Sequence, residues 1–201
     1  MAQKSRQFFT LLSTAIIGVF LLTLTPSAFT HSSAAAPLPP GDTYGEDEVV
    51  KAGHQFFGSV SGGLASVIER AFSSYGEPNG YILGEEGAGA FVAGARYGEG
   101  DLYTRNAGNH KVFWQGPSVG FDFGADGART MILVYNIPDI SAIYQRYAGL
   151  DGSAYLVGGI GMTVLVKNEV VLVPIRSGLG ARLGINIGYL KFTPKPTWNP
   201  F

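Results

Sequence analysis

Two stretches decide the fold: Val119-Gly120-Phe121-Asp122-Phe123-Gly124 and Leu183-Gly184-Ile185-Asn186-Ile187-Gly188-Tyr189. In both, a bulky apolar residue alternates with glycine or another short side chain. A period of two places every second side chain on one face of a strand. A face of glycines lets another backbone approach or lets a sheet curl tightly. We therefore expect Val119, Phe121 and Phe123 to face an interior, with Gly120, Asp122 and Gly124 outside or beneath a helix.

The same texture extends outward in both directions. Strands are predicted over Tyr81–Glu85, Ala88–Tyr97, Leu102–Asn106, Lys111–Gln115, Val119–Gly124, Thr130–Tyr135, Ser153–Val157, Ile160–Lys167, Glu169–Arg176 and Ala181–Thr193. Tight turns are predicted at Gly98-Glu99-Gly100, Asn106-Ala107-Gly108-Asn109, Ala125-Asp126-Gly127 and Lys167-Asn168-Glu169. Many short strands with close turns and no strand–helix alternation indicate an antiparallel sandwich or barrel rather than a doubly wound sheet.

Helices are predicted ahead of the strands. Glu46 to Phe57 opens with Glu46, Asp47 and Glu48, where the helix dipole favours acids. Leu64, Val67, Ile68, Ala71 and Phe72 recur at helical spacing after the Gly62-Gly63 break. One inserted helix is predicted over 138–147, starting at Pro138 and presenting Ile140, Ile143, Tyr144 and Tyr147 on one side.

The N-terminus sets the expected location. Lys4 and Arg6 precede an apolar run from Phe8 to Leu24, Pro26, and the small residues Ser32 to Ala36. That order is a secretory signal peptide over 1–36, followed by a Pro/Gly linker over 37–45 and one domain over 46–201. The remaining 165 residues hold 12 of the 14 basic and all 15 acidic residues, a net charge of −3. Nothing in this balance suggests a basic footprint for nucleic acid or an anionic membrane. Without cysteine, the chain has no disulfide, thiol nucleophile or cysteine metal site.

Catalytic look-alikes fail on context. Gly116-Pro117-Ser118-Val119-Gly120 fits G-x-S-x-G, but a strand follows Ser118 and no histidine follows His110. Asp122-Phe123-Gly124 lacks every other kinase element. Gly159-Ile160-Gly161 and Gly178-Leu179-Gly180 lack the third glycine of a dinucleotide loop. His54 and His110 have no metal-ligand spacing, so no metal or cofactor is expected. Glu85 and Glu86 point to opposite faces of a strand. Glu99 and Asp101 flank a predicted hairpin glycine and are the carboxylate pair that an envelope hydrolase would use. The aromatics Phe113-Trp114 and Trp198-Asn199-Pro200-Phe201 are the other candidates. The Pro-rich tail after Thr193 either packs back on the core or offers a docking surface.

Several motifs carry a resemblance. Gly87-Ala88-Gly89-Ala90-Phe91, Arg96-Tyr97-Gly98-Glu99-Gly100, the run from Lys111 to Gly127, and Gly188-Tyr189-Leu190-Lys191-Phe192-Thr193-Pro194 resemble the EipA-like envelope-integrity proteins, over about 46–201. The resemblance implies a periplasmic protein of Gram-negative bacteria with a small conical β-barrel, flanking helices and no known catalytic activity. The block from Gly94 to Gly124 is also similar to the glycine-rich core of SYLF-type lipid-binding modules. It departs from them at the acidic helix opening at Glu46, which is a poor reader of anionic head groups.

The expectation is therefore a mainly β (α+β) protein, a small antiparallel barrel of about eight strands. It is expected to support the envelope without catalysis by binding a lipid, a glycan precursor or an envelope protein, with an envelope hydrolase as the alternative. The expected binding residues are Trp114, Phe121, Asp122, Phe123, Trp198 and Phe201.

Overall fold

The structure, a computed structural model, describes residues 42–88, 95–117, 128–150, 153–177 and 188–199. The predicted signal peptide, the strand over 119–124, the turn at Ala125-Asp126-Gly127, the stretch 181–187, and Phe121, Asp122, Phe123 and Phe201 lie outside the described residues.

Two helices come first, α1 (Glu46–Phe57) and α2 (Leu64–Tyr75), at the positions that the periodicity predicts. α1 ends at Gly58, whose φ of 62° brings its N–H onto the His54 carbonyl. The Arg129 guanidinium donates to the Phe56 carbonyl at 2.8 Å, a cation at the negative end of the helix.

Ten strands follow: β1 (Gly80–Ala88), β2 (Ala95–Thr104), β3 (Gly108–Pro117), β4 (Ala128–Tyr135), β5 (Arg146–Gly149), β6 (Tyr155–Val157), β7 (Ile160–Met162), β8 (Leu165–Lys167), β9 (Val170–Ser177) and β10 (Tyr189–Thr193). They pair in the order β4-β1-β2-β3-β10-β5-β8-β9, and β9 returns to β4. This is a closed, eight-stranded antiparallel barrel, and closure removes the edges an open sheet would expose. β7 and β6 are two further strands that leave the ring from β9.

The alternation along each strand divides two apolar layers. Ile82, Leu102, Val112, Trp114, Ile132, Val134, Tyr147, Leu172, Leu190 and Phe192 point inward and fill the barrel. Met131, Leu133, Tyr135, Val173 and Ile175 point outward, where Val49, Phe57, Leu64, Val67, Ile68 and Ala71 of the helices cover them. Burying each such side chain stabilises the fold by roughly 1.5–3 kcal/mol. Eight strands leave an interior that side chains can fill or that can hold one small ligand, and in this layer side chains fill it.

Three expectations are corrected. Gly98-Glu99-Gly100 is no turn. β2 runs straight through it, because Gly98 and Gly100 pair with Trp114 and Val112 across β3 and with Glu86 and Gly84 across β1. The helix predicted over 138–147 shrinks to one helical turn, Ile140–Ile143, capped by the Asp139 carboxylate accepting from Ala142 N–H at 3.1 Å. Tyr147 then enters β5 and the interior, since the ring would stay open without that strand. The strand predicted over Ile160–Lys167 forks. Thr163 N–H donates to the Pro174 carbonyl at 3.1 Å, so the side of Pro174 that lacks an N–H faces the fork. The Val164 carbonyl turns instead to Leu150 N–H at 2.9 Å, leaving β8 in the ring and β7 outside it.

Candidate functional site

The interior glycines make room for one indole. A Cβ on Gly98 would lie 2.1 Å from Trp114 Cε2, and one on Gly84 would lie 2.8 Å from Trp114 Cη2. Trp114 therefore lies on a glycine floor inside the barrel, tilted against Phe192 with ring centroids 5.9 Å apart. Gly84, Gly98 and Gly100 thus face inward, whereas the glycines of 119–124 are expected to face outward.

Beyond the indole, toward the end of the barrel where β1, β3 and β9 finish, lies a buried ionic cluster. Glu86 is only 8% exposed. Arg176 donates to it from Nε at 3.0 Å and from Nη2 at 3.2 Å. Arg96 Nη1 donates at 3.3 Å, and Trp114 Nε1 donates at 2.9 Å. Arg96 Nε also holds the Pro117 carbonyl at 2.9 Å. Burial alone pushes the Glu86 carboxyl up, but the Arg176 and Arg96 guanidiniums and the hydrogen bonds from Arg176 and Trp114 outweigh it and hold it at about 2. A carboxylate so held neither gives nor takes a proton near neutral pH. The cluster ties β1, β2, β3 and β9 together across the barrel.

Of the six expected binding residues only Trp114 and Trp198 are described, and these two lie apart. Trp114 is inside, whereas Trp198 is 77% exposed on the outer wall. Tyr97 O–H donates to the Trp198 carbonyl at 2.9 Å, and their rings meet edge-on at 5.7 Å. Glu99 is exposed on the outer face of β2, 3.6 Å from Lys111 Nζ, with Asp101 two residues along the same strand. They stand side by side on one wall and do not oppose each other across a cleft. Glu85 is exposed and Glu86 buried, as alternation requires. His54 Nδ1 contacts Ser61 Oγ at 2.8 Å, and His110 Nε2 contacts the Ala107 carbonyl at 2.8 Å. No group of potential metal ligands forms among the described residues.

The sequence reading did not single out Arg96 or Arg176, nor see Glu86 as the centre of a cluster. A signal was present. Period two aligns Glu86 with Ile82 and Gly84, Arg96 with Gly98 and Leu102, and Arg176 with Leu172 and Pro174, so each charge falls on an apolar or glycine face.

A second feature lies on the outer wall. Arg146, Ala148 and Gly149 of β5, Val166 and Lys167 of β8, and Tyr189 of β10 line a shallow groove of about 560 Å³. The Arg146 guanidinium sits 4.5 Å above the Tyr189 ring, a cation–π contact.

Comparisons with known proteins agree with this architecture. A crystal structure described as a β-barrel-like, uncharacterised protein from Brucella abortus superposes with a TM-score of 0.75 at 64% identity, covering 80% of this chain and 99% of that one. No curated protein matches the sequence. The family description "Envelope integrity protein A" matches residues 42–201. The chain belongs to the envelope integrity protein A (EipA) family.

Proposed function

We propose that the protein acts in the periplasm, without catalysis, as a binding component that supports envelope integrity. Its ligand is an envelope lipid, a glycolipid precursor or an envelope protein, held on the outer surface of the barrel. The observation that carries this reading is the filling of the described part of the interior: apolar side chains occupy it up to Trp114, and the Glu86–Arg96–Arg176 cluster occupies the next layer. Family membership supports an envelope role. The hydrolase reading would rest on Glu99 and Asp101, which share one strand and one face.

Genetic complementation tests this function. Removing the protein should sensitise cells to a membrane-active detergent. The wild-type chain and the double variant Glu99→Gln/Asp101→Asn should restore resistance equally. Failure of the double variant alone, at normal abundance, would sink the non-catalytic reading in favour of the hydrolase.

A further inference from the structure

We propose that the outer face of β2 and β3, with the tail that crosses it, binds a neutral, acetamido-bearing glycan chain of the envelope. This deepens the reading above by naming the ligand, and it rests on that reading.

Thr193 of β10 stands opposite Phe113 of β3, and Trp198 reaches Tyr97 of β2, whose hydroxyl donates to its carbonyl at 2.9 Å. Between those two points the tail crosses the outside of β3, the strand that lies between β10 and β2. Gln115 points outward there, since its neighbour Trp114 points inward, yet it is only 1% exposed. Its Nε2 finds no acceptor among the described residues. Leaving a buried donor unsatisfied is costly. The cover over Gln115 is therefore one that an incoming acceptor improves.

Charge decides the kind of acceptor. On the same outer face Glu85 of β1 stands directly opposite Glu99 of β2, and both are exposed. Asp101 follows on β2, and Lys111 of β3 lies 3.6 Å from Glu99. On the other side of Gln115, Lys191 is half-buried and already has a partner. An anion meets repulsion from these carboxylates. A cation brings no acceptor for Gln115. A neutral acceptor meets neither obstacle, and the carbonyl of an acetamido group is one, with two lone pairs like those of a backbone carbonyl.

Aromatic rings complete the site. Trp198 is 77% exposed, and its ring meets the half-buried Tyr97 ring at 5.7 Å and 62°. The negative face of such a ring attracts the polarised C–H bonds along one side of a pyranose. A second aromatic station, Tyr103 stacked on Tyr81 with centroids 5.1 Å apart, lies farther along the same face of β2, roughly 20 Å from Tyr97. Two stations on one open face fit a chain of sugars better than a single sugar.

The test titrates the purified protein with the hexasaccharide and the monosaccharide of N-acetylglucosamine and with a glucose hexasaccharide, read by calorimetry and tryptophan emission. The N-acetylglucosamine hexamer should bind at least tenfold more tightly than its monomer and than the glucose hexamer. It should blue-shift the emission of Trp198, because Trp114 is already buried. Its affinity should stay within twofold as salt rises, since the ligand is uncharged. Trp198→Ala and Gln115→Met should each weaken binding at least tenfold, and Arg70→Ala on α2 should bind within twofold of wild type. Gln115→Met removes the unsatisfied amide at similar volume, so it should unfold at or above the wild-type temperature, which a merely structural glutamine would not do. Thermal unfolding also checks that each other variant is folded. Failure of the N-acetylglucosamine hexamer to bind overturns the proposal. So does equal binding of the glucose hexamer, binding that survives either substitution, a Gln115→Met chain that unfolds well below wild type, or displacement by polylysine, which marks a cation site instead. If no sugar binds while cells lacking the protein remain detergent-sensitive, only this inference falls. If the hexamer binds and the cells show no defect, the envelope role falls instead.

Discussion

Two walls of one barrel, built from the same alternating strands, have opposite outer faces. The β1–β4–β9 wall carries Met131, Leu133, Val173 and Ile175 on its outside and is roofed by α1 and α2. The β10–β5–β8 wall carries Arg146 and Ala148, both exposed, and no described helix packs on them; only Val166, at its β8 edge, reaches the roofed core. Inside, both walls contribute to a single apolar filling. The ring thus holds together from within, and the roofed wall adds a second core. Among the described residues the bare wall gives that second core only Val166, which leaves Arg146 and Ala148 open to selection for contact with something else.

The largest effect should come from the shared interior. Gly98→Val places methyl groups where the Trp114 ring lies, a conflict that neither rotamers nor a buried indole can relieve. We expect no folded protein, or a loss of at least about 3 kcal/mol in urea unfolding. Gly62→Ala, where an added methyl meets nothing within 4 Å, should stay within about 0.5 kcal/mol of wild type. A stable Gly98→Val protein would mean that the indole floor does not set the interior.

Next comes the ionic layer. Glu86→Gln leaves two buried guanidiniums sharing no carboxylate with Trp114, at a cost of about 3–5 kcal/mol. The pH dependence follows from the same residue. Its carboxyl titrates near 4.5 when unfolded and about 2 when folded. A depressed folded value contributes stability above pH 4.5 that is lost as pH falls toward 2, on the order of 3 kcal/mol in all. Equilibrium unfolding between pH 6 and pH 2.5, on the order of the window the shift spans, should show this loss in the wild type. It should be much reduced in Glu86→Gln.

The smallest effects compare the walls themselves. Ile68→Ala under the roof should cost about 2–4 kcal/mol. Arg146→Ala on the bare wall should cost under about 1 kcal/mol. Equal losses in urea unfolding would show that something in the folded chain covers the bare wall as thoroughly as the helices cover the other.

Much of this was legible from local pattern. Both long helices, the turn at Asn168-Glu169 and the strand density follow from spacing and from residues whose preferences act over a few positions. The failures have a common cause. Gly98-Glu99-Gly100 reads as a turn because glycine pairs favour turns, but here the glycines accommodate an indole from a neighbouring strand. The 138–147 segment has a helical stripe, yet closing the ring requires Tyr147 in a strand. Net charge concealed the basic wall, because its cations come from three segments far apart in sequence and are cancelled in the total by acids elsewhere, Glu46, Asp47 and Glu48 among them.

The sequence by itself determined the alternation, the helix faces, the absence of cysteine chemistry and an antiparallel β architecture, since each depends on neighbours within a turn or a strand. Only the tertiary structure decided the ring order, the meeting of Glu86 with Arg96 and Arg176, and the gathering of Arg146, Lys167 and Lys191 on one wall. These depend on register between strands up to 90 residues apart, and register is set by the packing of the whole barrel rather than by any local preference.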